Sequence, residues 1–199
     1  GGRDGVRLRG GAARLKFVFI GNPDGRALRW EAGYTGFVQH VVAQYTTNPG
    51  SAVTLLEGYD PGSSPVLSNL TILSNSPAVL SNSRGIRLRD NANGKIYNTI
   101  VTNTGTGVRA DTGLGTNINA GTLVFANSRV FSNSTNYSND GTLFNTAPFN
   151  NSSVAVPLTG YAGIEASGAF DIASVDSWFS NSNYIGALDP ASNWASAWI

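Results

Sequence analysis

The residues of this sequence with the clearest chemical potential are arginines that recur in one short phrase. It stands as "GVRLRG" at 5–10 and within "RGIRLRD" at 84–90, with weaker forms "GRALRW" at 25–30 and "GVRAD" at 107–111. Apolar and charged residues alternate in the phrase, as they do in a half-buried strand. Arginine holds anions through a rigid fork of donors that lysine lacks, and only Lys16 and Lys95 are lysines.

If the phrases stack as parallel strands, the arginines form two outward columns. Within each column, side chains on neighbouring strands lie about 4.8 Å apart. The first column would hold Arg7, Arg29, Thr54, Arg87 and Arg109, and the second would hold Arg9, Glu31, Leu56, Arg89 and Asp111. One interpretation is that these arginines bind an acidic or sulfated polysaccharide through charge-assisted contacts. The other interpretation, which we favour, is a solvated sheet surface whose arginines form ion pairs with Glu31, Asp90 and Asp111.

Catalytic residues are not predicted, although polysaccharide lyases and glycoside hydrolases remain the enzyme classes to weigh. Asp90 and Asp111 are the best pair of carboxylates, but neighbouring arginines would keep both ionised, which does not suit a general acid. His40 is the single histidine, and we expect it to be an ordinary outward residue. The sequence predicts no metal site and no cofactor.

Composition limits the partners. The chain has 13 Lys and Arg against 12 Asp and Glu among 199 residues, so strong binding to nucleic acid is not expected. It has no cysteine, which excludes disulfides, and no apolar run long enough for a transmembrane segment. A Gly-, Asn- and Ser-rich chain with regularly recurring apolar residues is typical of a secreted β protein.

The elements that would position the arginines recur at a base period of 22 residues. The inward residues of the phrase are predicted to be Val6, Leu28, Val53, Ile86 and Val108, which lie 22, 25, 33 and 22 residues apart. A second strand family lies between them at 15–22, 37–44, 68–75 and 96–103, and we align it on Phe19, Val41, Ile72 and Ile100. This pattern predicts an all-β, right-handed parallel β-helix. A β-sandwich is the competing architecture.

One domain is expected over residues 1–199, with rungs over about 4–133 and irregular rungs and a cap over about 134–199. The second strand family ends in amides that we expect to stack as a structural ladder: Asn22, Gln44, Asn75 and Asn103. Trp30 is predicted to fill the core, whereas Tyr34 and Tyr59 are predicted to be exposed. The aromatic tail, with three of the four tryptophans, is expected to cover the last rung at the carboxyl end.

The sequence also resembles bacterial exported right-handed parallel β-helix proteins, which are often lipoprotein-like or outer-surface proteins with no settled activity. The resemblance rests on "DGVRLRGG", "GYTGFVQHVV", "SNLTILSN", "GIRLRDNANGKIYNTIVT", "YIGALDP" and "NWASAW", and it covers roughly 4–111 and 178–198. It implies the fold and an extracellular or outer-surface location. Members of that group tend to carry acidic residues where Arg7, Arg26 and Arg29 stand, so no cation-binding role is transferred from them.

Two functions follow as expectations. The first is a non-catalytic extracellular structural or surface protein, because the chain begins almost directly on a rung whose open edge could pair with a second copy. Head-to-tail repetition of that contact would give a fibre. The alternative is binding of an acidic polysaccharide, with cleavage less favoured, by a face made of Arg7, Arg9, Arg29, Arg87, Arg89 and Arg109.

Overall fold

The computed structural model describes residues 4–47, 53–74 and 83–197, and these form a parallel β-solenoid. The strands are β1 (Val6–Arg9), β2 (Leu15–Gly21), β3 (Arg26–Glu31), β4 (Phe37–Tyr45), β5 (Thr54–Tyr59), β6 (Val66–Ser74), β7 (Arg84–Arg89), β8 (Gly94–Thr102), β9 (Thr106–Ala110), β10 (Leu123–Ala126), β11 (Arg129–Phe131), β12 (Thr135–Asn139), β13 (Gly163–Glu165) and β14 (Ile185–Leu188). The helical segments are α1 (Gly115–Asn119) and three 3₁₀ helices, Asp140–Asn145, Ile172–Ser174 and Pro190–Ser192.

Two stacked sheets alternate along the chain. Sheet A holds the arginine phrases in the order β1-β3-β5-β7-β9-β12, and sheet B has the order β10-β8-β6-β4-β2, with β11 also beside β8. All pairs within these two sheets are parallel. The predicted all-β parallel β-helix is therefore confirmed.

Sheet A is stacked on one inward column, but the predicted register is wrong in its third strand. Leu28 lies opposite Leu56, and Leu56 opposite Ile86. Val53, the residue predicted for this position, precedes β5 and lies outside the column. The three-residue shift takes Leu56 from a predicted outward position into the core, and it exchanges Thr54 for Glu57 in the outward column.

Trp30 is buried in the core, as predicted. Its indole lies over Gly58 of the next rung, where a Cβ atom would stand only 2.2 Å from Trp30 Cζ2. Glycine is required there because the ring occupies the space of any side chain. The bulkiest core residue is thus paired with the smallest one.

Each long strand of sheet B bends at one residue in the left-handed conformation. These residues align from rung to rung with φ between +52° and +58°: Phe17, His40, Asn69, Asn98 and Asn127. Asparagine tolerates this conformation better than most residues. The bend turns the strand around the solenoid and separates β10 from β11.

The predicted alignment of sheet B slips by one residue in two strands. Phe19 lies opposite Val42 rather than Val41, and Thr71 rather than Ile72 lies opposite Ile100. A slip of one residue reverses which face each side chain occupies. Periodicity alone missed it because the left-handed residue interrupts the alternation in mid-strand.

The carboxyl end is covered by the 3₁₀ helix Asp140–Asn145 and the residues that follow it. Phe144 is fully buried there and meets Phe125 and Phe149 edge-on, at centroid distances of 5.9 and 5.2 Å. An aromatic cap was predicted at this end, and Phe144 and Phe149 supply it. The described part of the tryptophan-rich tail, which was expected to form the cap, lies elsewhere.

The tail instead runs along the outside of sheet B toward the first rung. It passes Asn98 at Phe170 and reaches β2 at Trp178, whose carbonyl accepts a hydrogen bond of 2.5 Å from Lys16 Nζ. It then returns, and β14 pairs with β13 in an antiparallel ribbon that packs against β6 and β8. The tail therefore covers most of the outer face of sheet B but leaves part of β8 accessible, whereas the outer face of sheet A is open.

Candidate functional site

The candidate site is the outer face of sheet A, which holds eight of the eleven arginines of the chain. We call this surface the arginine face, and its members are Arg7, Arg9, Arg26, Arg29, Arg84, Arg87, Arg89 and Arg109. Arg7 lies opposite Arg29, and Arg87 opposite Arg109, as the outward column predicts. Like charges at neighbouring strand positions repel, so the face requires counter-ions.

Glu31 supplies the counter-charge at the amino end of the face. Its carboxylate accepts hydrogen bonds from Arg7, including one of 2.9 Å from Nε, and lies 2.5 Å from Nη2 of Arg29. Arg9 approaches the same carboxylate at 3.8 Å. The Glu31 side chain is 6% exposed and therefore belongs to the sheet surface rather than to solvent.

Glu57 supplies the counter-charge at the centre of the arginine face. The sequence prediction missed this residue because its register in β5 was shifted. Its side chain is 1% exposed and lies 2.9 Å from Nε of Arg26 and 3.1 Å from Nε of Arg89. Arg29 completes the group at 3.6 Å. Tyr59 lies under the guanidinium groups of Arg29 and Arg89, at 5.1 and 4.6 Å from its ring centroid. Its ring is thus already in contact with cations.

The other end of the face carries three guanidinium groups and one carboxylate. We call Arg84, Arg87, Arg109 and Asp111 the basic cluster. Asp111 accepts hydrogen bonds of 2.7 Å from Arg87 and 2.6 Å from Arg109. Burial raises the pKa of Asp111, but these bonds and charges outweigh it and hold the pKa below its ordinary value.

Arg84 is the member of the cluster without a counter-ion among the described residues. Burial lowers its pKa, and the positive charges of Arg87 and Arg109 lower it further, whereas Asp111 and Glu57 act in the opposite direction. Arg26 lies in the same outward row two rungs away, since Thr54 lies opposite both Arg26 and Arg84. Unlike Arg84, Arg26 is paired with Glu57. Three positive charges against one negative charge make this end of the arginine face cationic.

The carboxylates considered for catalysis are engaged with arginines. Asp90 lies 3.2 Å from Arg89 and Asp111 is held by Arg87 and Arg109. Within residues 4–47, 53–74 and 83–197 no three acidic, histidine or cysteine side chains gather as a metal would require. In the same ranges, no helix is long and apolar enough to cross a membrane.

The predicted amides do not meet as one ladder in the part of the chain that the structure describes. Asn22 binds Thr46 through its side chain, while Gln44 lies opposite Gly21 and Leu73. Asn103 adopts a left-handed conformation at the end of its strand. Asn75 lies outside the described residues.

A different polar row, which sequence analysis missed, lies at the bend of sheet B. Gln39 donates to Asn69 Oδ1 at 3.1 Å, Ser68 donates to the same oxygen at 3.0 Å, and Asn98 donates to Ser68 at 3.2 Å. Three amides also bind the tail: Gln39 to Ser180, Asn69 to Tyr184 and Asn98 to Phe170. Asn127 continues this attachment through Gly168. The "SN" of 68–69 was a signal for this row, but Asn69 lies six residues before Asn75, the amide that was aligned in this strand.

His40 and Tyr34 differ from their predicted surface positions because other segments cover them. His40 is 3% exposed, stacks on Phe17 at 5.0 Å, and binds the carbonyl of Ala187 and the hydroxyl of Ser182 through its two ring nitrogens. Burial lowers its pKa to about 4, with a small further lowering by Lys16 and an opposing effect of the Ala187 carbonyl. Tyr34 is buried and donates to the carbonyl of Ala13 at 2.6 Å.

Two parallel sheets whose strands alternate along the chain and stack rung on rung define a class of protein, the parallel β-helix proteins. Within that class the chain belongs to the family described as the pectate-lyase-like beta-helix domain, whose match covers residues 1–198. Searches of curated proteins and of solved structures found no match.

Proposed function

We propose that this protein is a non-catalytic β-helix protein that binds an acidic polysaccharide through its arginine face, outside the cell or on its outer surface. The observation that carries the proposal is the basic cluster, in which Arg87 and Arg109 share the one carboxylate and Arg84 has no counter-ion among the described residues. Guanidinium groups bind carboxylates and other oxyanions through paired, charge-assisted hydrogen bonds. The cluster therefore has donors to offer to a repeating anionic polymer.

Two further observations support this proposal. The family description likens the domain to pectate lyases, and pectate is an acidic polysaccharide. The acidic residues of the face are bound as counter-ions, which favours a binding role over acid–base chemistry. Polymers of this kind lie outside cells, hence the proposed location.

The test compares two arginines of the same row. Arg84→Ser removes the unpaired guanidinium, whereas Arg26→Ser removes one that is already bound to Glu57. We expect Arg84→Ser to weaken binding of polygalacturonate about tenfold in titration calorimetry, the equivalent of one charge-assisted hydrogen bond. Arg26→Ser should change it by less than about twofold. Equal effects of the two variants, or no binding by the unmodified protein, would overturn the proposal.

Self-assembly is the second candidate and rests on the first rung. β1 and β2 each have one neighbouring strand in the described chain, and the apolar side chains of Val6, Leu8 and Leu15 are only partly buried there. Such an edge can accept another parallel strand. A head-to-tail fibre also needs an open carboxyl end, and the 3₁₀ helix with Phe144 covers that end.

Light scattering of the purified full-length protein separates the two candidates. A concentration-dependent mass that rises by whole multiples of the chain would support assembly. A constant monomer mass, combined with polysaccharide binding, would leave the arginine face as the functional surface.

A further inference from the structure

A groove on the opposite side of the solenoid carries features of a second ligand site. It contains a cavity of about 570 Å³ beside a second one of about 450 Å³, and the two share Tyr97, Gly121 and Phe170 as lining residues. The floor is the outer surface of β8, and the walls are the loop after α1 and the tail. A volume of this size accommodates a small ligand such as a short oligosaccharide.

The shared wall of the two cavities is an aromatic pair. The rings of Tyr97 and Phe170 are stacked with centroids 4.3 Å apart and planes 15° from parallel. Both rings are half-buried, so they remain partly open to the groove. Broad aromatic surfaces with this exposure contribute much of the contact area in binding sites.

The aromatic pair is fixed in position before any ligand arrives. The side-chain amide of Asn98 holds the backbone of Phe170 through both of its polar atoms. Its Oδ1 accepts from Phe170 N at 2.7 Å, and its Nδ2 donates to Phe170 O at 2.9 Å. Val66, Ile172 and Phe179 pack behind the rings in one buried cluster. A ligand would therefore meet a preformed wall and lose little affinity to its ordering.

Lys95 is the charged residue of the groove. It is exposed and lies in register between Val66 and Val124, so its strand neighbours are apolar. Among the described residues it has no ion pair, in contrast to the arginines of sheet A. A free ammonium group two residues from Tyr97 on the same strand face selects for an anionic group near the aromatic wall.

From this geometry we infer that the groove binds a uronic-acid unit of an acidic oligosaccharide. The sugar ring lies against Tyr97 and Phe170, its carboxylate meets Lys95, and its hydroxyls reach the polar rim at Asn93 and Thr122. The site is separate from the arginine face, and either surface can bind without the other.

The experiment is an NMR titration of the full chain with trigalacturonate, followed at the resonances of the groove. We expect shifts at Tyr97, Gly121 and Phe170, and a roughly tenfold weaker affinity at this site for Lys95→Ser. Lys95→Arg keeps the charge and should retain binding. Phe170→Leu should also weaken binding, with a thermal melt to show that each variant is folded.

The outcomes separate this site from the arginine face. Groove shifts that persist in Arg84→Ser and disappear in Lys95→Ser establish the groove site, whatever happens at sheet A. Shifts confined to sheet A, or groove binding that is unchanged by Lys95→Ser, would overturn the inference while leaving the arginine face untouched. The methyl ester of trigalacturonate should bind the groove less tightly, and equal affinity for acid and ester would also overturn the inference.

Discussion

At the scale of single residues, His40 is the group whose charge state most affects the tail. The imidazole is neutral at pH 7 because burial lowers its pKa to about 4, against about 6.5 in an unfolded chain. Between these two values the unfolded chain binds a proton that the folded protein does not. The free energy of unfolding therefore decreases as the pH falls from 6.5 toward 4.

We predict that this histidine removes about 2–3 kcal/mol of stability between pH 7 and pH 4.5. His40→Asn deletes the titration and suits the left-handed backbone at this position. Urea unfolding of both proteins at pH 7 and 4.5 measures the effect. The variant should lose less stability than the unmodified protein over that interval, and equal losses would show that His40 does not titrate as described.

Gly58 gives a second prediction at this scale. In Gly58→Ala the new Cβ would overlap Trp30, with 2.2 Å to Cζ2, and the Trp30 side chain is fully buried. Overpacking of this kind costs about 1–3 kcal/mol. Gly115→Ala is the control, because the nearest atoms there are 3.5 Å away. Thermal melts should show a lower midpoint for the first variant and little change for the second.

At the scale of elements, sheet A depends on a buried carboxylate between arginines. Glu57→Gln keeps the shape of the side chain and removes the charge that Arg26, Arg29 and Arg89 share. Breaking a buried ionic group costs about 3 kcal/mol or more. The same change leaves the arginine face more positive, so retention on a polygalacturonate column should increase while the melting temperature falls.

Glu165→Gln is the matched control, since Glu165 accepts hydrogen bonds from Ser167 and lies away from sheet A. It should change neither the melting temperature nor retention appreciably. A stable Glu57→Gln variant with unchanged retention would contradict the account of the face.

The bend of sheet B and the tail form the second structural unit at this scale. Asn98→Ala removes both hydrogen bonds to Phe170 and places alanine at φ = +52°. We expect a loss of about 2–3 kcal/mol and faster hydrogen exchange over 168–172. Asn98→Gly relieves the backbone strain but not the lost bonds, so exchange should remain fast in it. Unchanged exchange in both variants would show that Asn98 does not hold the tail.

The sequence predicted the elements better than their alignment. The recurring arginine phrase identified β1, β3, β7 and β9 because alternation is a local property. It missed Glu57, since both leucines of "TLLEGY" are buried and alternation does not say which of them aligns with Leu28. The register follows from pairing with the neighbouring rung, where Leu56 lies opposite Leu28 and Gly58 opposite Trp30. The burial of His40 depends on tail residues 142 and 147 positions away in sequence, and Asn98 meets the tail 72 positions away. No local pattern reports contacts at such separations.

At the scale of the whole molecule, the chain has a net charge of only +1, although positive charge is concentrated locally at the basic cluster of sheet A. Because the positive surface is local, binding of an acidic polysaccharide should be strongly salt-dependent although the chain is almost neutral. We predict that affinity for polygalacturonate falls markedly between 50 and 300 mM NaCl. Binding that is insensitive to salt would mean that contacts other than those of the arginines dominate.

The course of the tail has a consequence for how the protein is made. Gln39 on the second rung is hydrogen-bonded to Ser180, which is synthesised 141 residues later. Lys16 on the first rung is hydrogen-bonded to the same residue, 164 positions later. At about 5–20 residues per second, ribosomal synthesis takes roughly 7–30 s to supply these partners. During that interval the outer surface of sheet B is uncovered on the nascent chain. Gln39 then has Asn69 but not Ser180 as a partner, and the His40 ring nitrogens lack Ser182 and Ala187. A segment made much later thus completes rungs made earlier, and interruption of synthesis before residue 180 would leave the outer surface of sheet B uncovered.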